Sequence, residues 1–331
     1  MNVTAIKVIF SFIFSFLITL YLIPYFCLLA KRLQFMDKPD GKIKKQSHAV
    51  PYMGGVAVYV GFLCGLAFTV PFENSISLLI IGTTLLLLLG LIDDLFQMKP
   101  YQKFFGQTIV ALCFLKAGFY LKSHVFHAAW KMPLSLLWIL TVINAFNLVD
   151  VMDGLATSLA LYATITLMLI SYVLNQSIVM ILLASFLGPL CAFFIYNRPP
   201  AHIYLGDAGS LFIGGFLATV PFLFDWGTYN WYGYLTPFVI LAIPLLECIS
   251  LIIIRAYKGI PFYQGSRDHF SCYLMDNGWS KVSILWYLFF LSIILGASSL
   301  LFTVGIISIN ALLGLGLLFL IVWIAVLQWK F

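Results

Sequence analysis

Apolar residues run through this chain in long blocks, and polar residues are confined to the breaks between them. About eleven blocks come close to the roughly 20 residues a helix needs to cross a hydrocarbon layer. They lie near 6–30, 54–72, 76–93, 105–121, 132–147, 155–174, 178–195, 211–226, 234–255, 282–303 and 309–328. The breaks at 72–76, 174–178 and 303–309 are short and read as tight turns on one membrane face. The pattern predicts an all-α, polytopic transmembrane helix bundle of about 10–11 spans, one integral membrane domain over residues 1–331. The first block is too long for a cleaved signal peptide and lacks a small-residue cleavage region, so it counts as the first span.

Composition agrees and narrows the class. Hydrophobic residues make up 63% of the chain and charged residues only 9%, against about 25% charged in soluble domains. The net charge of +6 does not point to nucleic acid, because the charges are gathered in a few loops. Of six cysteines, only Cys272 stands in a polar loop, and none has metal-binding spacing. Neither a disulfide framework nor a zinc site is expected.

Charge sets the orientation. The breaks after the first, third, fifth, seventh and ninth blocks, with the C-terminal tail, hold 14 of the 18 Lys and Arg residues. The positive-inside rule makes that face cytoplasmic and puts the N-terminus outside. Nine of the twelve acids share it: Asp37, Asp40, Asp93, Asp94, Asp150, Asp153, Asp207, Asp268 and Asp276. An anchor to anionic lipid needs only positive charge, so a face with both signs reads as a working surface.

Four polar clusters close the cytoplasmic ends of otherwise apolar helices. Ionisable groups at membrane helix ends are costly unless they meet water, a partner or a cation. The first is Asp93-Asp94, followed by Lys99, Lys103 and Gln107. Adjacent carboxylates repel and favour a bound cation or a shared proton. The second, Asn144 to Ala156, sets Asn144, Asn147, Asp150 and Asp153 at steps of three between two apolar blocks. A plain turn, capped by Asn and Asp and broken at Gly154, is the alternative. The third, Tyr204 to Ser210, leads into the eighth block. Asp207 there is either a helix cap helped by Ser210, or part of a phosphate or metal site at a helix N-terminus. The fourth, Gly259 to Phe270, combines Arg267, Asp268 and His269 with aromatic residues. Arg suits bidentate phosphate recognition and aromatic rings stack on bases. Together the clusters suit a magnesium-assisted reaction between a cytosolic diphosphate donor and a lipid acceptor.

In this order, Leu91–Leu95, Asn144–Ala156, Tyr204–Gly215 and the Arg267-Asp268-His269 loop resemble the polyprenyl-phosphate N-acetylhexosamine-1-phosphate transferases. That superfamily includes the enzymes that start enterobacterial common antigen and teichoic acid linkage, and the phospho-MurNAc-pentapeptide translocase. The resemblance covers about Asp37 to His269. It implies transfer of a sugar-1-phosphate from a UDP-sugar to undecaprenyl phosphate in the bacterial inner membrane, with release of UMP and magnesium (or manganese) as cofactor. It also implies Asp207, with Asp153, as metal ligands, Asp93 and Asp94 as the catalytic pair, and Asn147, Asp150 and Asp153 at nucleotide and metal. Lys45, Arg267, Asp268 and His269 would bind substrate, and Glu247 also matches a family position. Nucleic acid is no expected partner, and a homodimer is left open. Val151 stands where most members carry Gly, and Cys272 where a further histidine is expected. The absence of a multi-histidine run favours the N-acetylhexosamine branch over the MurNAc-pentapeptide branch. Rival readings are a UbiA-type prenyltransferase, which needs a second spaced Asp motif, and an ion-coupled transporter, which needs polar residues at helix midpoints.

Overall fold

The structure, a computed structural model, describes residues 3–37, 49–70, 74–122, 127–261, 263 and 265–327. Its helices in chain order are α1 (Val3–Arg32), α2 (Gly54–Ala67), α3 (Asn74–Phe96), α4 (Pro100–Lys116), α5 (Ala128–Val149), α6 (Leu155–Val173) and α7 (Ser177–Asn197). Then follow α8 (Gly206–Thr219), α9 (Thr236–Ile240), α10 (Ala242–Tyr257), α11 (Phe270–Asp276), α12 (Lys281–Thr303) and α13 (Ile309–Leu327). The one sheet among the described residues is an antiparallel pair of two-residue strands, β1 (Met36–Asp37) on β2 (Val50–Pro51). The expected all-α polytopic bundle is what forms.

The number of spans is lower than the hydropathy pattern suggested. Among the described residues, eight helices are long and apolar enough to cross a membrane, and a ninth span exists if α9 and α10, bent by 67° at their junction, count as one. The block at 54–72 yields only the 14-residue α2, which ends at Ala67. At 1.5 Å per residue it reaches roughly 21 Å, short of a hydrocarbon core of about 30 Å. The block at 105–121 belongs to α4, which begins at Pro100 and runs for 17 residues. Apolar composition does not separate a lipid-crossing segment from one that is apolar because protein surrounds it. α2 is of the second kind, with Ala57, Val58, Phe62 and Leu66 fully buried.

The bundle is built around α8. Every residue from Ala208 to Thr219 is buried, and α3, α5 and α2 pack on it. Outside it, α1 lies on α7 and α2, α6 on α7 and α12, and α10 on α5. Lipid tails are as apolar as the side chains they touch, so helices in a membrane associate through close van der Waals packing and small residues rather than through the hydrophobic effect. Both devices are present. Phe62, Phe186, Phe212 and Phe216 form one aromatic cluster, with the Phe186 and Phe216 rings stacked at 4.0 Å. Gly55 of α2 faces Gly209 of α8 so closely that a Cβ on either would overlap the other's backbone. The loop before α8 is pinned in the same way: Tyr204 N–H donates to the Pro51 carbonyl at 2.9 Å, and Gly54 and Gly55 N–H donate to the Tyr204 and Leu205 carbonyls at 3.0 and 2.9 Å.

Gly90 of α3 has the same role at the other side of α8, since a Cβ there would run into the Asp207 carbonyl and Ala208 Cα. Backbone cannot swing aside as a side-chain tip can. Gly90→Ala is therefore expected to destabilise the protein by about 1–3 kcal/mol, read as a lowered midpoint of thermal unfolding in detergent. A wild-type midpoint in that variant would mean that α3 and α8 are not in this close contact.

Candidate active site

The site starts at the first turn of α8. Gly206 enters it at φ 73°, a left-handed conformation glycine adopts without strain. A Cβ at Gly206 would also lie 2.7 Å from Asp94 Oδ2. The missing side chain lets the last turn of α3 bring the Asp94 carboxylate onto the helix N-terminus. Asp94 Oδ1 accepts from Asp207 N–H at 2.9 Å, and Oδ2 accepts from Ala208 N–H at 3.0 Å. The first N–H groups of a helix have no partner within it, and α8 starts inside the bundle, so a carboxylate from a second helix satisfies two of them. This corrects the reading of Asp207 as the cap. Neither Asp207 nor Leu205 at the N-cap position makes a side-chain cap bond.

Released from capping, the Asp207 carboxylate meets α4 and α5. Lys103 Nζ lies 2.6 Å from Asp207 Oδ2 and 2.9 Å from Asp93 Oδ2, and it donates to Asn147 Oδ1 at 3.1 Å. Asn147 Nδ2 donates to Asp207 Oδ1 at 2.7 Å and to Ser210 Oγ at 3.0 Å. Asp93 Oδ1 accepts from Met98 N–H at 2.7 Å, which fixes the chain as it leaves α3. One turn back on α5, Asn144 donates to Gln107 of α4 at 2.8 Å. Three of the four sequence clusters therefore form one network over the ends of α3, α4, α5 and α8.

Asp150 and Asp153 lie in the turn after α5, and the two differ. Asp153 is 8% exposed, and its Oδ2 accepts from Lys281 Nζ at 2.8 Å and from Ala201 N–H at 3.3 Å. Asn197 holds the same turn: its Oδ1 accepts from Gly154 N–H at 3.1 Å and from the Thr157 hydroxyl at 2.8 Å. The Asp150 carboxylate has no hydrogen-bond or ion-pair partner among the described residues. Burial, and then the negative charges of Asp207, Asp94 and Asp153, push its pKa up from the ordinary 3.8 to about 8. The Val151 side chain is 41% exposed, so the turn takes it without crowding.

The fourth cluster is a separate unit fastened to α10. Glu247 is 1% exposed. Its Oε1 lies 3.0 Å from His269 Nδ1 and accepts from Phe270 N–H at 3.2 Å, the first N–H of α11. Asp268 pairs with Lys258 at 2.7 Å, Arg267 with Asp276 at 2.9 Å, and Arg255 Nε donates to Ser266 Oγ at 3.2 Å. Lys45 lies outside the described residues.

Lys281 and Asn197 are site residues that sequence reasoning passed over, and Lys103 was named in the first cluster without its partners. Lys103 was visible beside Asp93-Asp94, but its tie to Asp207 spans 104 residues and that of Lys281 to Asp153 spans 128. No local spacing carries such a signal. The carboxylates are thus better supplied with lysines than their positions suggested.

The donor set bears on the expected metal. Among the described residues no three His, Cys, Asp or Glu side chains converge to hold an ion. Two carboxylates and a carboxamide oxygen do converge, on the Lys103 ammonium. Hard divalent cations take the same oxygen donors, and magnesium binds through one or two carboxylates plus waters and substrate phosphates. The cluster fits a partial magnesium shell that a phosphate ligand would complete.

A polytopic helical bundle with an oxygen-rich network at one end is what the structure shows, and the comparisons with known proteins place it among the transferases. A family model described as glycosyl transferase family 4 matches residues 76–224, the stretch that carries Asp93 to Asp207. A probable undecaprenyl-phosphate N-acetylglucosaminyl 1-phosphate transferase of Bacillus subtilis is 31% identical over 294 residues, covering 85% of this chain and 81% of that protein. An undecaprenyl-phosphate alpha-N-acetylglucosaminyl 1-phosphate transferase of Thermotoga maritima is 29% identical over 247 residues, 74% of this chain and 75% of its own. A phospho-N-acetylmuramoyl-pentapeptide-transferase of Staphylococcus carnosus is 27% identical over 308 residues, 83% and 93% respectively. The chain belongs to glycosyl transferase family 4, and the resemblance drawn from its motifs is borne out.

The raised pKa of Asp150 has a measurable sign. Between the unfolded value near 3.8 and the folded value of about 8, the native state holds a proton that the unfolded chain releases. Stability from this group is complete at low pH and is lost as pH rises through about 8. In magnesium-free detergent, Asp150→Asn should flatten that fall between about pH 5 and pH 8, measured as the thermal midpoint against pH. A variant curve parallel to wild type would remove Asp150 as the titrating group.

Proposed function

We propose that this chain transfers an N-acetylhexosamine-1-phosphate from a UDP-sugar to undecaprenyl phosphate at the cytoplasmic face of the bacterial inner membrane, in the first step of an envelope polysaccharide. The observation that carries the reading is the convergence of Asp93, Asp207 and Asn147 on one cation position at the ends of apolar helices. There a soluble diphosphate and a lipid phosphate can meet. The names of the B. subtilis and T. maritima relatives support the acceptor and the sugar.

In this reaction an oxygen of the lipid phosphate attacks the phosphorus that bears the sugar. A new P–O bond forms, the bond from that phosphorus to the bridging oxygen breaks, and UMP leaves with the bridging oxygen and its electron pair. Bound magnesium would supply charge neutralisation for the diphosphate, held by Asp207 and Asp93 with Asn147. Asp153 lies farther along the same turn, and its bond to Lys281 supports a role in holding the turn. Lys103 sits among the oxygens that would hold a cation, and its flexible ammonium could instead pair with a phosphate oxygen. Asp150 lacks a counter-charge and holds a proton more readily than an ordinary carboxyl, which suits a group that positions a phosphate oxygen. Asp94 acts through α8, as a positioning residue. The Glu247–His269 pair fixes the loop that offers Arg267 to the donor.

Purified protein with undecaprenyl phosphate, magnesium and a panel of UDP-sugars, UDP-MurNAc-pentapeptide among them, should release UMP with a UDP-N-acetylhexosamine. Absence of UMP with every donor would sink the reading. Asp207→Asn should abolish turnover while the protein still inserts, and Asp94→Asn should lower it roughly 10–100-fold, the usual loss for a group behind the first shell. Lys103→Met should lower turnover yet tighten manganese binding to the substrate-free protein, followed by electron paramagnetic resonance. Weaker manganese binding in that variant would contradict the exchange of lysine for metal.

A further inference from the structure

We propose that a slot between α6, α7 and α12, separate from the acidic network, binds an anionic phospholipid. The cavity measures about 590 Å³, within the roughly 300–1,000 Å³ usual for small-molecule sites. Its walls are apolar, with Leu161 of α6, Phe194 of α7, and Leu285 and Phe289 of α12. At its mouth stand Arg198, which follows α7, and His202, both exposed. Neither is paired with an acid among the described residues. Asp153, which touches Ala201 beside the slot, is already neutralised by Lys281.

Charge and surroundings together select the ligand. The planar guanidinium binds phosphate through two parallel hydrogen bonds, and His202 adds a donor whatever its charge. A phosphate free in the cytosol would leave the apolar walls uncovered. Large apolar side chains beside the slot are exposed, Ile195 at 44% on α7 and Trp286 at 58% on α12, as suits a lipid-facing surface. A diacyl lipid entering from the side fills the slot with a chain and sets its phosphate at the cations, as basic pockets between membrane helices do on the cytoplasmic side. A zwitterionic headgroup would bring its own ammonium up to Arg198 and lose that advantage. The slot also backs the turn carrying Asp150 and Asp153, because a Cβ built on Gly154 lies 3.2 Å from the Phe194 ring, 3.4 Å from Leu285 Cδ1 and 3.5 Å from Arg198 Cα. A bound lipid braces that turn from behind.

The test measures binding, not turnover, so it stands apart from the reaction proposed above. The full chain in a neutral detergent is titrated with phosphatidylglycerol or phosphatidylcholine, and the first lipid retained is followed by native mass spectrometry. Wild type should hold phosphatidylglycerol about tenfold more tightly than phosphatidylcholine. Arg198→Ala with His202→Ala should erase the preference. Leu161→Trp, which fills the slot and keeps both cations, should remove the tight lipid altogether, with an unchanged thermal midpoint as the check on folding. Equal retention of the two lipids by wild type would overturn the proposal, as would unchanged preference in the double variant. Displacement by glycerol phosphate would assign the site to a soluble anion, and displacement by equimolar undecaprenyl phosphate would assign it to the acceptor. Either result would also overturn it.

Discussion

The carboxylate of Asp94 on the N-terminus of α8 is the contact from which the rest of the site follows. α8 begins among packed helices, with Gly206 and Ala208 buried, where an unsatisfied N–H is costly. Two such groups end on one carboxylate. The contact needs Gly90 and Gly206, because a side chain at either would hold α3 and α8 apart. It also decides what Asp207 does. With its own N–H taken by Asp94, Asp207 directs its side chain across the helix end to Lys103 and Asn147.

Several carboxylates crowd the end of this bundle, and each is compensated differently. Asp94 lies against the positive end of a helix. Asp93 and Asp207 share the Lys103 ammonium, and Asp153 has Lys281. Asp150 has no such partner among the described residues, and burial with the neighbouring negative charges raises its pKa to about 8. Short acid–lysine distances make the network look complete, yet the lysine it uses is the most replaceable cation available. Lys103 is a single flexible side chain with three donors and no geometric demand on its partners. A divalent ion with a diphosphate would meet the same oxygens with more charge. The resting network therefore holds the site in shape without closing it to ligands.

The sequence made the bundle, its polar end and most of the acids legible, because long apolar blocks with charges only at their ends leave few other arrangements. It could not show how far each block extends as helix. α2 is apolar through burial against α1, α7 and α8 rather than through contact with lipid, and the bend between α9 and α10 lies inside one apolar block. Partner choice was also hidden. The steps of three put Asn147, Asp150 and Asp153 in one polar stretch without showing which partner each meets. In the fold Asn147 joins Asp207, Asp150 stands without a partner among the described residues, and Asp153 turns to α12. Helix α5 ends at Val149, so the step of three loses its helical meaning exactly where the acids begin. The capping of α8 crosses 113 residues, and only tertiary packing creates it.

The Arg267–His269 loop shows why a polar cluster that is easy to see can still be placed only by its supports. Its residues are joined to α10 through Glu247, Lys258 and Arg255, and α10 packs on α5. Glu247 lies inside an otherwise apolar helix, where an ionised carboxylate is tolerated only with partners. His269 and the first N–H of α11 supply them. One buried acid thereby caps a short helix and orients an imidazole, as Asp94 caps α8 from α3. In both places a carboxylate on a membrane helix satisfies the start of a neighbouring helix. The apolar surroundings make these caps strong, and the caps in turn let polar loops keep a fixed shape at the edge of the membrane.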